Sequence, residues 1–214
     1  MNLSPTDRRS DEHLLAAVLA GEMEALAELV QRHQQPLTNY LARLAGPDWA
    51  LAQDLAQETF LHVLRQHASR GDRPFKPWLY AIATNIARDY YKSAAARREI
   101  SLQPAYEVDV VDETPGPEDD ALIAEQHAAL SCALGSLSAE YRATLLLRFY
   151  AELSLRDIAA TLDIPVGTVK SRLSVGLRQL RDALRAAEAR AEATMEEHIP
   201  ERAVCQWTLR LTSR

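Results

Sequence analysis

The sequence predicts an all-α protein built as two small helical domains joined by a flexible acidic linker. Three observations predict it. The 214 residues include only 7 glycines, with few β-branched runs and many Ala, Leu, Glu and Arg, a composition that favours helix. Apolar residues recur three and four positions apart along most of the chain, which places them on one side of a helix. The exception is the stretch 99–125, which has no Lys or Arg. There Glu107, Asp109, Asp112, Glu113, Glu118, Asp119 and Asp120 gather around Pro104, Pro115, Gly116 and Pro117, and that is linker composition.

At the N-terminal end, Ser10 is placed to cap a helix running to about residue 20, and the pattern resumes over 22–30 after Gly21. Pro36 is expected to open a separate helix over 37–44, closed by Gly46 and Pro47. The next helix, 49–66, reads WALAQDLAQETFLHVLRQ. Ala56, Phe60 and Val63 share its inward side, while Asp54, Gln57, Glu58 and Leu61 share another. An apolar spot rimmed by carboxylates fits a protein-docking site as well as a wet surface, and wheel geometry alone favours the wet surface.

Residues 67–74, HASRGDRP, form a loop, and a helix follows over 75–93, FKPWLYAIATNIARDYYKS. Leu79, Ile82, Ala83, Ile86 and Tyr90 make its inward stripe. Tyr80, Thr84, Arg88, Tyr91 and Lys92 point outward, with Asn85 and Asp89 at one edge. Rings beside cations suit unstacked bases on a phosphate backbone, although for any one of Trp78, Tyr80, Tyr90 and Tyr91 taken alone a half-buried core aromatic is the favoured reading.

Beyond the linker, helices are expected over 122–134, with Cys132 inside, and over 139–150. Ser154 and Asp157 then form a capping box ahead of Leu155, Ile158, Ala159 and Leu162. That helix stops at Asp163-Ile164-Pro165, and a second starts directly after the proline and continues to about residue 197. Val169, Leu173, Leu177, Leu180 and Leu184 form its inward side; Thr168, Ser171, Arg172 and Val175 lie opposite, flanked by Lys170, Arg178, Arg181 and Arg185. Residues 166–185 hold five basic residues and one acid, Asp182, in a chain of net charge −6. This helix-turn-helix with a basic second helix suits the DNA major groove, short polar side chains reaching base edges and cations neutralising phosphates. The tail alternates Trp207, Leu209 and Leu211, a weak strand signal.

The whole chain sets further bounds. Its pI near 5.5 excludes a protein that coats nucleic acid by bulk charge, so DNA binding must be local. No apolar run matches a membrane span or a signal peptide, which predicts a cytoplasmic protein. Cys132 and Cys205 have no metal-ligand spacing, and no metal or cofactor is expected. No nucleophile elbow, phosphate loop or HExxH pattern is present, and the six histidines are scattered, so no enzyme is predicted.

Three segments, in order, resemble a bacterial RNA polymerase sigma factor of the sigma-70 family, in its extracytoplasmic-function (ECF) group. DLAQETFLHVLR is similar to the family's core-binding helix, FKPWLYAIATNIARDYYKS to its melting and minus-ten helix, and LSLRDIAATLDIPVGTVKSRL to its minus-thirty-five helix-turn-helix. The resemblance implies sigma region 2 over 10–95, an acidic linker over 96–121, region 4 over 122–187, and an extension of unknown role over 188–214. It also implies a non-enzymatic factor that directs promoter-specific initiation. Asp54, Gln57, Glu58 and Leu61 would dock on the β′ clamp helices of core polymerase, with further contacts to the β subunit. Arg70, Arg73, Lys76, Trp78, Tyr80, Asn85, Arg88, Asp89 and Lys92 would hold melted minus-ten bases; Thr168, Lys170, Ser171, Arg172 and Arg178 would read the minus-thirty-five duplex. Val175 departs from the family, where arginine is common. An anti-sigma partner is implied and direct membrane insertion is not. The rival reading is a stand-alone helix-turn-helix regulator, which would normally need a dimerisation element, and only 183–197 could supply one.

Overall fold

The computed structural model describes residues 9–46, 48–66, 70–96 and 128–197. Among these, every regular element is helical: α1 Asp11–Leu19, α2 Met23–Ala45, α3 Trp49–Gln66, α4 Phe75–Ala96, α5 128–136, α6 Ala139–Leu145, α7 Leu155–Leu162 and α8 Val166–Glu197. The expectations for the linker 97–121 and for Cys205, Trp207, Leu209 and Leu211 of the tail lie outside the described residues.

Side-chain acceptors cap the starts of α1, α3, α4 and α7, while α2 and α6 start without one. Ser10 Oγ accepts the His13 N–H at 3.3 Å, and Asp48 Oδ1 accepts the Leu51 N–H at 3.0 Å. At α4 the acceptor comes from another element: Glu12 Oε1 of α1 takes the Phe75 N–H at 3.1 Å. Ser154 Oγ accepts the Asp157 N–H at 3.1 Å while the Asp157 carboxylate accepts the Ser154 hydroxyl at 2.6 Å, so Asp157 turns back to the cap through its hydroxyl. Asp163, at φ 53° and ψ 52°, ends α7 in the left-handed region, and α8 starts immediately after Pro165.

Pro36 does not divide α2, which runs unbroken through it. Pro36 lies on the exposed side of the helix, and it has no N–H to donate to the Arg32 carbonyl. On the other side Leu29, His33, Leu37, Tyr40 and Leu41 are buried in one continuous row, and that packing offsets the lost hydrogen bond.

Helices α1 to α4 form one bundle around Leu14, Leu29, Leu37, Leu41, Val63, Phe75 and Leu79. The second set surrounds Leu147, Ile158 and Val169. Helix α6 passes into a π-helical turn, Leu146–Tyr150, whose end is closed by Ala151 N–H to Leu146 O and Leu153 N–H to Leu147 O, both 2.9 Å. Gly176 sets the crossing of α8 on α6, because a Cβ there would stand 3.3 Å from Leu145 Cδ1. For that reason Gly176 faces inward and Leu177, expected inside, is 38% exposed. Cys132, also expected inside, is exposed; Ala133 and Leu134 fill the inward positions of α5 instead.

The two sets touch. α7 lies along α4, and the tip of α2 meets α6 and the π turn. Thr161 Oγ1 of α7 donates to the Pro77 carbonyl at 3.3 Å. Arg142 of α6 spreads its guanidinium over carbonyls freed by helix ends: Leu134, Gly135 and Leu137 at the end of α5, and Leu44 of α2 at 3.1 Å. The Arg43 guanidinium sits over the Tyr150 ring, 4.9 Å from its centroid.

Candidate nucleic-acid and protein interfaces

On α3, Ala52, Leu55, Ala56, Thr59, Phe60 and Val63 turn inward. This leaves Asp54, Gln57, Glu58 and Leu61 together on the exposed side. Leu61 is 49% exposed, unusual for a leucine on a regular helix, and His62 lies 3.9 Å from Glu58 at its edge. A greasy centre with an acidic rim is a shape that can lose water against a complementary partner.

On α4 the positions separate into two groups. Asn85, Arg88, Asp89 and Lys92 are exposed, as is Arg73 in the preceding turn; Lys76 is half-buried. Arg70 is half-buried too, its guanidinium donating to the Arg73 carbonyl across the Gly71 turn. Trp78 and Tyr80, by contrast, are 5% and 2% exposed, which corrects the outward placement of Tyr80 and Thr84. Tyr80 stacks edge-on to Tyr40 at 4.9 Å. Thr84 Oγ1 donates to the Tyr80 carbonyl at 2.6 Å and stands 2.7 Å from the Tyr40 hydroxyl. Burial holds both phenols above the usual tyrosine range, so they stay neutral. Tyr90, expected inside, is exposed, while the Tyr91 hydroxyl bonds the Ala45 carbonyl.

On α8, Lys170, Ser171 and Arg178 are exposed, and Thr168 and Val175 are half-exposed. The Ser171 hydroxyl donates to the Thr168 carbonyl at 2.9 Å, leaving its oxygen lone pairs outward. Arg172 is not free as the wheel suggested: its Nη2 pairs with Glu140 of α6 at 2.8 Å. Arg172 and Glu140 also line a cleft of about 250 Å³ together with Leu44, Arg88 and Tyr91. The structure thus brings a residue expected at the minus-thirty-five element and one expected at the minus-ten element into a single cavity. Among the described residues no group of His, Cys, Asp and Glu could hold a metal ion, and no helix is long and apolar enough to cross a membrane.

Comparison with known proteins gives two family matches in this order, Sigma-70 region 2 over residues 29–97 and Sigma-70 region 4 over 127–180. The ECF RNA polymerase sigma factor SigL of Mycobacterium tuberculosis is 35% identical over 173 residues, covering 78% of this chain and 93% of its own length. The chain belongs to the sigma-70 family, in its ECF group. The ECF sigma factor SigE of Mycolicibacterium smegmatis is 36% identical over 180 residues, covering 82% of this chain and 69% of the relative. Among solved structures, CnrH in complex with the cytosolic domain of CnrY aligns with TM-score 0.61 and 25% identity over 83% of this chain and 99% of that one. The sigma factor RpoE bound to the anti-sigma factor NepR from Bartonella quintana shares the fold, with TM-score 0.53 and 21% identity over 75% of this chain and 96% of that one.

In this sigma factor the region 2 match takes in α3 and α4, and the region 4 match takes in the helix-turn-helix. Helix α1 lies ahead of the region 2 match, yet Glu12 caps α4 from it. Glu140, Arg142 and Thr161 escaped sequence reasoning, because nothing in a single helix pattern shows what a side chain meets on another element.

Proposed function

We propose that this sigma factor binds core RNA polymerase through Asp54, Gln57, Glu58 and Leu61 and directs it to promoters whose two elements are read by α4 and α8. The observation that supports the docking reading is the exposed leucine with its acidic rim on α3, a surface that no other described part of the chain covers. For DNA, Lys170, Arg172 and Arg178 would neutralise phosphates while Thr168 and Ser171 reach base edges. Val175 offers a methyl contact to thymine where arginine would have offered hydrogen bonds.

At the minus-ten element, Arg70, Arg73, Lys76, Arg88 and Lys92 would follow the phosphates of the opened strand. Asn85 and Asp89 would bond base edges, while Trp78 and Tyr80, both buried, would back this surface from inside rather than touch the bases. Unstacking costs a few kcal/mol per base, so bases must be held as they leave the duplex and melting is driven by binding. The work is binding throughout, with no bond made or broken by the sigma factor. CnrH is solved with the cytosolic domain of CnrY and RpoE with the anti-sigma factor NepR, and a regulating anti-sigma partner is proposed here too, with the protein acting in the cytoplasm.

The proposal is tested by capture on immobilised core polymerase. The intact chain is expected to be retained, and D54K/E58K is expected to be lost with its helical circular dichroism unchanged. Retention of the variant would refute the docking face.

A further inference from the structure

The cleft lined by Arg88 and Arg172 holds more positive charge than the fold itself uses. Arg88 is exposed and takes part in no ion pair or hydrogen bond among the described residues. Arg172 is more enclosed, its side chain 21% exposed, and of its nitrogens Nη2 is engaged by Glu140 at 2.8 Å. A guanidinium carries several N–H donors, so part of Arg172 is still available. Glu140 is the one carboxylate in the lining, and two cations against it leave a net positive charge.

The rest of the wall is largely apolar. Leu44 of α2, Ala87 of α4, Ala143 of α6 and Leu162 of α7 all contribute to it. The Tyr91 ring adds an aromatic face, fixed edge-on to Tyr90 at 5.5 Å and by its hydroxyl on the Ala45 carbonyl. The Thr84 hydroxyl is already committed to the Tyr80 carbonyl and the Tyr40 hydroxyl, so it asks nothing of a ligand. The volume, about 250 Å³, is just under the ~300–1,000 Å³ of pockets that hold drug-sized molecules.

We infer that this cleft is a binding site for a small aromatic monocarboxylate, its ring against Tyr91 and the apolar wall, its carboxylate on Arg88 and the unengaged N–H groups of Arg172. A guanidinium fork matches a carboxylate with two parallel hydrogen bonds. An inorganic anion would leave the apolar wall wet. A purely apolar molecule would take water from the guanidiniums without replacing its hydrogen bonds. A phosphate dianion would exceed the net charge of the lining, and a cation would be repelled by it. The site rests on the cleft alone and not on the promoter-reading role. Its lining comes from α2, α4, α6, α7 and α8, so only the assembled chain can hold the ligand, which therefore stabilises the fold by mass action.

The test is isothermal titration of the intact chain with 2-naphthoate. Two controls accompany it: 2-naphthol, which keeps the rings without the charge, and acetate, which keeps the charge without the rings. Saturable binding of one 2-naphthoate per chain is expected, with neither control matching it. Tm should rise by ~5–10 °C at a ligand concentration ~100-fold above Kd. Methyl NMR signals of Leu44, Leu162 and Ile164, all in the lining, should shift on titration. R88Q, at an exposed position, should keep the ligand-free Tm and bind at least ~10-fold more weakly. No saturable binding, equal binding of either control, or undiminished binding by R88Q overturns the site. None of these readouts involves DNA or polymerase, so failure here and failure of the promoter-reading role are told apart.

Discussion

Arg172 of the second helix of the helix-turn-helix is held by Glu140 of α6, Nη2 to Oε2 at 2.8 Å. Helix α6 thereby fixes where Arg172, proposed to meet DNA, starts from. Glu140 is largely exposed and adds a negative charge beside the surface proposed to meet phosphate. E140Q should therefore tighten binding to a minus-thirty-five duplex by ~1.5–5-fold, the range of an exposed ion pair. Fluorescence anisotropy at fixed salt measures it; weaker binding would show that Glu140 chiefly orients Arg172.

Changing Lys170 and Arg172 to alanine should weaken duplex binding. If each meets one phosphate, the slope of log K against log salt should fall by ~2 in magnitude, since each neutralised phosphate contributes about 0.9. An unchanged slope with weaker binding would assign both side chains to bases instead. R178A, one turn farther along α8, should reduce the slope by ~1.

Acid should destabilise the region 2 bundle in two windows. His33 is buried against Phe75 with Nε2 2.8 Å from Asp11 Oδ2, and burial outweighs the pull of Asp11, so its pKa lies below the usual histidine range. The unfolded chain takes up that proton near pH 6.5. The stability His33 contributes is therefore complete above pH 6.5 and is lost as pH falls toward its depressed folded value. Glu12 is lowered first by the Phe75 N–H that it accepts, so its contribution is present above its unfolded pKa near 4.5 and is lost as pH falls through the folded one. Thermal melts from pH 7.5 to 3.5 should show H33Q flattening the first window and E12Q the second.

Much of this could be read from the chain itself. The capping boxes, the Asp163-Ile164-Pro165 stop, the bounds of α3 and the exposure of Asp54, Gln57, Glu58 and Leu61 follow from periodicity and turn chemistry, which are local. What failed was non-local. Pro36 stays inside α2 because a long buried row outweighs one lost bond. Tyr80 turns inward because the Tyr40 ring, on another helix, packs edge-on against it. Gly176 displaces Leu177 because α6 crosses there. Arg172 looked free only because Glu140 lies 32 residues away.

Run-off transcription with purified core polymerase over a library of genomic promoter fragments tests the central claim most directly. Initiation should depend on the added chain, start from a subset of fragments sharing two spaced elements, and vanish with D54K/E58K. Transcription no different from core polymerase alone, with the chain binding duplex DNA as a dimer unaided, would contradict the account.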